Sequence, residues 1–386
     1  MYKKNLVYAA ACIGMAFFGI AFIVMGSVLP SLTGKYELDH VSASSLVTFL
    51  PVGILLGSVV FGPVVDRFGY KILLIVSTII ALLGLLGLSL FNDLNILRFC
   101  VFCIGFGGGM LNGSTNALAS DISDDKERAS RLSILGVFYG IGALGVPVLL
   151  GGLSKIYSYE IILQWTAIFM LLCVVYFVAI KFPAPKVAQG FPIKKTLSMI
   201  KEPVLLILSF FLFFQSGLEG LFNNWTTSYL KSVSFIQEGD IVLTLTFLVL
   251  GMTIARLLLS YLLQKIKQYY ILIGSIALSI MGVIILNYAT SFPLAATSLF
   301  IIGFGLAAGF PVVIGIIGSI FKETTGTAIG FALVIALSGN SILNYLIGYI
   351  SKTFEISSFP VFLAVLLVLQ GLIVIMNSKI INKESK

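Results

Sequence analysis

The sequence predicts an all-α membrane protein whose twelve transmembrane helices form two similar halves. Hydrophobic residues make up 59% of the 386 residues and charged residues only 10%, a balance far from that of a soluble domain. A helix that spans a bilayer needs about 20 predominantly apolar residues, and twelve stretches reach this length. The halves are separated by a short basic linker and share a repeated pattern of residues.

The twelve predicted spans leave little chain outside the membrane, and no connection is long enough to fold as a soluble domain. Span seven is unusual because the 28 residues from Pro203 to Leu230 contain one charge, Glu219. In chain order the predicted spans are 6–31, 42–65, 72–91, 95–119, 130–153, 160–182, 203–230, 240–264, 269–290, 293–319, 325–350 and 357–378.

The basic residues predict the orientation of the chain. With the N-terminus in the cytoplasm, eighteen Lys and Arg residues fall in cytoplasmic segments and five in outer segments. This excess follows the positive-inside rule and places both termini in the cytoplasm. The net charge of +8 therefore reflects membrane orientation, and a nucleic-acid partner is not expected.

Several other functions are disfavoured. Cys100 and Cys103 have the spacing of a metal or redox pair, but no second ligand pair lies nearby and packing is favoured. No cofactor is expected, and no pair of catalytic residues indicates an enzyme. The apolar run after Lys3 and Lys4 continues to Leu29, which is too long for a cleaved signal peptide.

The predicted division of the chain rests on the linker and on a repeat. Residues 1–182 and 203–386 each contain six spans, and the Pro- and Lys-rich residues 183–202 form a cytoplasmic linker. The run Val101–Gly107 returns 198 residues later as Leu299–Gly305, and Gly53 returns as Gly251. Two such halves describe a secondary transporter, whose substrate binds near the middle of the membrane between them.

The loop after span two carries the most specific motif. It reads Gly62-Pro-Val-Val-Asp66-Arg67-Phe-Gly69-Tyr-Lys71. Gly62 allows close helix approach, and Gly69 permits a tight turn. Asp66 can accept hydrogen bonds from a helix N-terminus. Arg67 and Lys71 keep the loop cytoplasmic. The motif resembles the loop signature of the major facilitator superfamily, which implies the major facilitator fold and a cytoplasmic gate. In the corresponding loop of the second half, Gln264 stands where the first copy has Asp66. Arg256 in span eight is retained.

Polar side chains inside the spans are the candidate substrate ligands. Gln215, Glu219 and Asn223 share one face of span seven because they are four residues apart. Amide pairs at the same spacing occur in spans four and eleven. The complete set is Asn112, Asn116, Gln215, Glu219, Asn223, Asn224, Trp225, Asn340 and Asn344. Asn112 and Asn116 could instead be packing contacts, and Trp225 could be an interfacial belt residue.

Spans four, five and seven also resemble the fucose–galactose–glucose symporter branch of the superfamily. The resemblance rests on Gly108–Ala117, on Phe138–Pro147, and on Glu219, Trp225 and Tyr229. It implies a sugar or sugar-like substrate. Amides and a carboxylate can bond hydroxyl groups in two directions, and an indole can stack on a pyranose ring.

Coupling is less determined by the sequence. Proton-coupled members of that branch are expected to carry carboxylates in spans one and four, but span one is apolar and span four has only Asp121 at its end. Glu219 is therefore the candidate for proton symport, and uniport stays open. A drug or metabolite efflux antiporter is the alternative, because Gly142–Gly152 loosely resembles an antiporter signature. The expected protein is a monomer in the cytoplasmic membrane that binds a small-molecule substrate.

Overall fold

The computed structural model describes residues 2–37, 40–153, 156–185, 201–233, 238–378 and 381. Across these residues the chain is helical and forms no strand, and twelve segments are long and apolar enough to cross a membrane. The predicted all-α class and the twelve spans are confirmed. Most of the predicted linker, residues 186–200, lies outside the described part of the chain.

The helices agree with the predicted spans to within a few residues at most ends. Span five begins earlier than predicted, since Asp125 and Glu127 occupy its first turn, where acidic side chains stabilise the positive end of a helix. Spans one to nine are Lys4–Tyr36, His40–Phe68, Tyr70–Leu90, Leu94–Asp121, Asp125–Leu153, Tyr159–Ala179, Pro203–Val233, Glu238–Leu262 and Gln268–Asn287. Span eleven is Thr325–Phe354, and span twelve is Phe359–Met376 after a 3-10 turn at Ile356–Ser358.

Span ten is present as predicted, at Phe292–Ile320, but its helix is divided. It consists of two helices, Phe292–Leu306 and Gly309–Ile320, joined by a turn at Ala307 and Ala308. Pro311 explains the interruption, because its ring clashes with the carbonyl four residues earlier and its nitrogen donates no hydrogen bond. The Leu306 carbonyl oxygen lies at the end of the first of these two helices.

The repeat that the sequence predicts is present in the packing. A Cβ atom placed on Gly105 would lie 2.2 Å from the Leu50 carbonyl oxygen, and one on Gly303 would lie 2.0 Å from that of Leu248. Both residues of the second pair follow those of the first by 198 positions. Spans two and four therefore meet at a glycine contact that spans eight and ten repeat.

The described helices group into two compact units. One comprises residues 1–122, 135–198 and 321–331, and the other comprises 123–134, 199–320 and 332–386. In the first unit span four packs against spans one, two and three. In the second, the buried core includes Phe222 of span seven and Phe359 of span twelve, whose ring centroids are 6.4 Å apart.

Many large apolar side chains stay exposed along the spans. Leu172 in span six and Val361 in span twelve are each 64% exposed. Such exposure would be unfavourable in water and is expected for helices that face lipid.

Candidate functional site

Glu219 lies beside a chain of hydrogen-bonded amides in the second unit. The Gln215 side chain, 2% exposed, donates through Nε2 to Glu219 Oε1 at 2.8 Å and to the Leu306 carbonyl oxygen at 2.8 Å. Gln370, 1% exposed, donates to Gln215 Oε1 at 2.9 Å. Spans seven, ten and twelve thus meet at one polar cluster, which we call the Gln215 cluster: Gln215, Glu219, Gln370 and the Leu306 carbonyl.

Gln370 is not among the candidate ligands that the sequence predicts. A signal was present, because Gln370 is the one polar side chain in Phe359–Met376. A lone amide in an apolar helix needs a partner, but the sequence of span twelve does not indicate which helix supplies it.

Arg256 provides the charge that acts on Glu219. It lies on span eight, which packs against span seven, and it attracts the carboxylate electrostatically. The sequence groups Arg256 with the Gly62–Lys71 loop motif. In the structure its positive charge also attracts Glu219, a candidate substrate ligand.

A second polar cluster, which we call the Asn344 cluster, joins spans seven and eleven. Asn344 Oδ1 accepts from Asn224 Nδ2 at 3.0 Å and from Trp225 Nε1 at 3.1 Å. Its Nδ2 donates to the carbonyl and to Oδ1 of Asn340, and Asn340 in turn donates to the Ser216 carbonyl at 3.1 Å. Four of the predicted ligands, Asn224, Trp225, Asn340 and Asn344, are therefore brought together.

The orientation of Trp225 is fixed from two sides. Its Nε1 is bonded to Asn344, and its ring lies over Gly348, where an added Cβ would be 3.4 Å from the indole. Asn223 and Asn224 are exposed beside it, and Asn223 Nδ2 donates to the Glu219 carbonyl oxygen at 2.8 Å. These two contacts hold the indole next to two accessible amides.

Asn112 and Asn116 lie in the first unit. Asn116 Nδ2 donates to the Asn112 carbonyl at 2.8 Å and to Asn112 Oδ1 at 3.0 Å. Both side chains are partly buried. The two amides therefore bond each other, one of the arrangements that the sequence left open.

The loop motif (Gly62, Asp66, Arg67, Gly69 and Lys71) holds span two against the beginning of span eleven. Asp66, 2% exposed, accepts from Thr327 N at 3.1 Å and from Thr327 Oγ1 at 2.6 Å, so it caps a helix N-terminus as the sequence predicts. A Cβ on Gly62 would lie 2.9 Å from Thr327 Cα. These contacts lie within the first unit.

The other motif residues shape the loop itself. Gly69 has a φ of 80° and precedes the first residue of span three, so it makes the predicted tight turn. Lys71 donates to the Val178 carbonyl at 2.7 Å and to that of Ile180 at 3.3 Å. Lys71 therefore caps the C-terminus of span six, a role beyond orientation. The Arg67 guanidinium lies 5.9 Å from the Phe68 ring centroid.

In span eight, where the second copy of the motif lacks the Asp, serine hydroxyl groups of span five form the contacts. Ser130 Oγ donates to the Ser260 carbonyl at 2.5 Å, and Ser133 Oγ donates to the Arg256 carbonyl at 2.6 Å. Ser260 follows Gly62 by 198 residues. Hydroxyl-to-carbonyl bonds from the start of span five thus occupy the place that the motif occupies in the first unit.

Comparisons with known proteins agree with this architecture. The family model of the Major Facilitator Superfamily matches residues 11–343. The glucose/mannose transporter GlcP of Bacillus subtilis is 24% identical over 358 residues, which cover 87% of this chain and 86% of that protein. The cis,cis-muconate transport protein of Acinetobacter baylyi is 23% identical over 371 residues, with 90% and 88% coverage.

Solved structures share the fold at low sequence identity. The fucose:proton symporter FucP of E. coli superposes with a TM-score of 0.80 at 15% identity, covering 96% of this chain and 98% of that one. The proton:xylose symporter XylE gives a TM-score of 0.76 at 14% identity, with 97% and 95% coverage.

Proposed function

The chain belongs to the Major Facilitator Superfamily, and from this membership we propose that it carries a sugar or sugar-like solute across the cytoplasmic membrane. Transport proceeds by alternating access, in which the two halves of the chain expose the solute to each side in turn. Three of the similar proteins support this class of solute by name, since one is a glucose/mannose transporter and two structural neighbours are symporters of fucose and xylose, whereas another relative is named for cis,cis-muconate.

The observation that carries the proposal is the Asn344 cluster. It sets an indole ring next to amides that both donate and accept hydrogen bonds. A sugar offers hydroxyl groups of the same dual character and an apolar ring face that stacks on an aromatic side chain. A preorganised indole also loses little conformational entropy when a ligand binds.

The proposed binding residues lie on spans four, seven and eleven. Glu219 and Gln215 come from the Gln215 cluster, and Asn223 donates to the Glu219 carbonyl on the same helix. The proposed set is Asn112, Asn116, Gln215, Glu219, Asn223, Asn224, Trp225, Asn340 and Asn344.

Proton symport is the proposed coupling, with Glu219 as the proton-binding group. A carboxylate inside an apolar span costs about 2.5–3.5 kcal/mol on insertion scales, and protonation removes that cost. Binding of a proton at Glu219 would then accompany movement of the loaded carrier. The gate motif (Gly62, Asp66, Arg67, Gly69, Lys71) with Arg256 is the proposed cytoplasmic gate.

The remaining proposals concern the orientation of the chain, which rests on the charge distribution, the two halves, which rest on the repeat, and the working unit. Both termini lie in the cytoplasm, the halves are residues 1–182 and 203–386 with 183–202 as the linker, and the working unit is a monomer. An efflux antiporter is the alternative. The contacts of the Asn344 cluster favour a hydroxylated solute over a hydrophobic drug.

Uptake into proteoliposomes tests the proposal. Labelled glucose, mannose, fucose and xylose are offered to the purified protein with an imposed pH gradient, alkaline inside. We expect at least one sugar to accumulate, Asn344→Leu to abolish its binding, and Glu219→Gln to abolish accumulation while binding persists.

The matched control is Gln164→Met in span six, which removes an amide bonded only weakly to Ser89 Oγ at 3.4 Å. This variant should transport as the wild type does. If none of the four sugars enters faster than into protein-free vesicles, the sugar assignment is wrong. If Glu219→Gln still accumulates the sugar, proton coupling through Glu219 is wrong and another coupling must be sought.

A further inference from the structure

The amide of Gln215 has one orientation that its surroundings allow. Amide oxygen and nitrogen atoms are assigned from their partners, and here one partner leaves no choice. The Leu306 carbonyl oxygen, 2.8 Å away, can only accept, so the group that faces it must be the Nε2 donor. Gln215 Oε1 then faces the opposite side, where Gln370 donates to it at 2.9 Å.

The interrupted span ten makes this orientation possible. In a continuous helix the Leu306 carbonyl would accept from a backbone N–H four residues later. The turn at Ala307 and Ala308 separates the two helices, the second of which begins with Val312 N donating to the Ala308 carbonyl at 3.1 Å, and Gly309 leaves room for the amide. A Cβ on Gly309 would lie 2.1 Å from Gln215 Oε1 and 2.3 Å from its Cδ.

The orientation of Gln215 determines which group of its amide faces Glu219. The same Nε2 that bonds Leu306 also donates to Glu219 Oε1 at 2.8 Å. An N–H donor stabilises a carboxylate more than a neutral acid. Gln215 therefore presents Glu219 with a donor and not with an acceptor.

Span eight, which packs against span seven, carries the titratable side chains Glu238, Asp240, Arg256 and Tyr261. Arg256 on span eight attracts the carboxylate. Span eleven carries Tyr345, Tyr349 and Lys352. The two tyrosines are 80% and 65% exposed. Gly309–Ile320, the 3-10 turn and span twelve carry no titratable side chain in their sequences.

We propose that Gln370 and the Leu306 carbonyl are positioning groups, which orient Gln215 and so set the pH at which Glu219 exchanges a proton with water. The inference rests on the proposed role of Glu219 as the proton-binding group. It adds a role for span twelve and for the interruption of span ten. Neither Gln370 nor Leu306 needs to touch the solute.

Infrared difference spectroscopy of the full chain in lipid nanodiscs tests the proposal without a substrate. The carboxylic acid band that is absent in Glu219→Gln reports protonation of Glu219, and its intensity is followed against pH. Gln215→Met removes the donor, and we expect the midpoint to rise by about one pH unit, which is the scale of one hydrogen bond to a charged group.

Two further variants separate the positioning role from that of Gln215 itself. Gln370→Met keeps the side-chain volume but removes the bond to Gln215 Oε1. Gly309→Ala places a methyl group against Oε1 and Cδ of Gln215 and so displaces the same amide, which tests the same idea if Gln370→Met does not fold. Both should raise the midpoint in the same direction as Gln215→Met and by less. Gln164→Met, the control amide in span six, should leave it unchanged.

The proposal is overturned if Gln215→Met shifts the midpoint while the Gln370 and Gly309 variants match the wild type. It is also overturned if the Glu219 band does not change with pH in the wild type. Failure of sugar uptake is a separate result, because the infrared titration needs no solute. Uptake that fails while the three midpoints shift as expected would refute the sugar assignment and support the positioning role.

Discussion

Asp66 and Thr327 form a contact whose energy can be measured directly. The carboxylate is 2% exposed and receives two hydrogen bonds from one residue at the N-terminus of span eleven. Asp66→Asn keeps the shape and one acceptor oxygen but removes the negative charge. Thr327→Val removes the hydroxyl and keeps the backbone donor. A double-mutant cycle with these two substitutions isolates the hydroxyl–carboxylate bond.

The structure gives the expected size of each effect. A hydrogen bond to a charged group contributes about 1.5–3 kcal/mol, and a negative charge at a partly buried helix N-terminus contributes up to about 2 kcal/mol. We expect Asp66→Asn to lower the free energy of unfolding by about 2 kcal/mol, because the charge is lost while one acceptor remains. The coupling energy between the two substitutions should be about 1 kcal/mol.

Reversible unfolding in mixed detergent micelles provides the measurement. The matched control is Thr166→Val in span six, whose hydroxyl bonds its own helix at the Ile162 carbonyl, 2.8 Å away. This substitution should add to Asp66→Asn without coupling. If Asp66→Asn and Thr327→Val are additive within about 0.5 kcal/mol, the hydroxyl–carboxylate bond does not stabilise the contact and the reasoning is refuted.

Three further predictions concern packing, the indole and the loop. Gly339→Ala should prevent folding, since its Cβ would lie 2.2 Å from the Phe213 carbonyl oxygen, whereas Gly274→Ala has nothing within 4 Å and should be neutral or stabilising in thermal unfolding. Trp225→Phe removes the Nε1 donor but keeps a ring, so sugar affinity in a thermal-shift titration should fall less than in Trp225→Ala; equal losses would exclude stacking. Lys71→Met should lower the unfolding free energy by about 1 kcal/mol through the uncapped carbonyls of span six, and an unchanged value would show that this cap is not stabilising.

The helices could be read from the sequence because the bilayer imposes a length and a polarity on each one. Span three, Tyr70–Leu90, is apolar along its length and was placed within two residues at its start. Span ten was predicted as one helix because hydropathy measures polarity and not hydrogen bonding. Its interruption depends on how Pro311 and the neighbouring glycines are accommodated by adjacent helices.

The candidate site was predictable where its residues share one helix. Gln215 and Glu219 are four residues apart, and the structure joins them by a hydrogen bond at 2.8 Å. The same spacing predicted that Asn112 and Asn116 share a face, and they bond each other. Helical periodicity fixes such pairs before any tertiary contact forms.

By itself, the sequence determined the membrane class, the twelve spans, the repeat and the motif at Asp66, since each follows from local composition or spacing. Only the tertiary structure decided that Gln370 meets Gln215, 155 residues away along the chain, and that the Leu306 carbonyl accepts from the same amide. The pattern of one helix shows which side chains share a face, whereas the neighbour of that face is chosen by packing across the whole bundle. Glu219 was therefore recognisable from the sequence as a charge in an apolar span, but the amides that orient its hydrogen-bond donor were not.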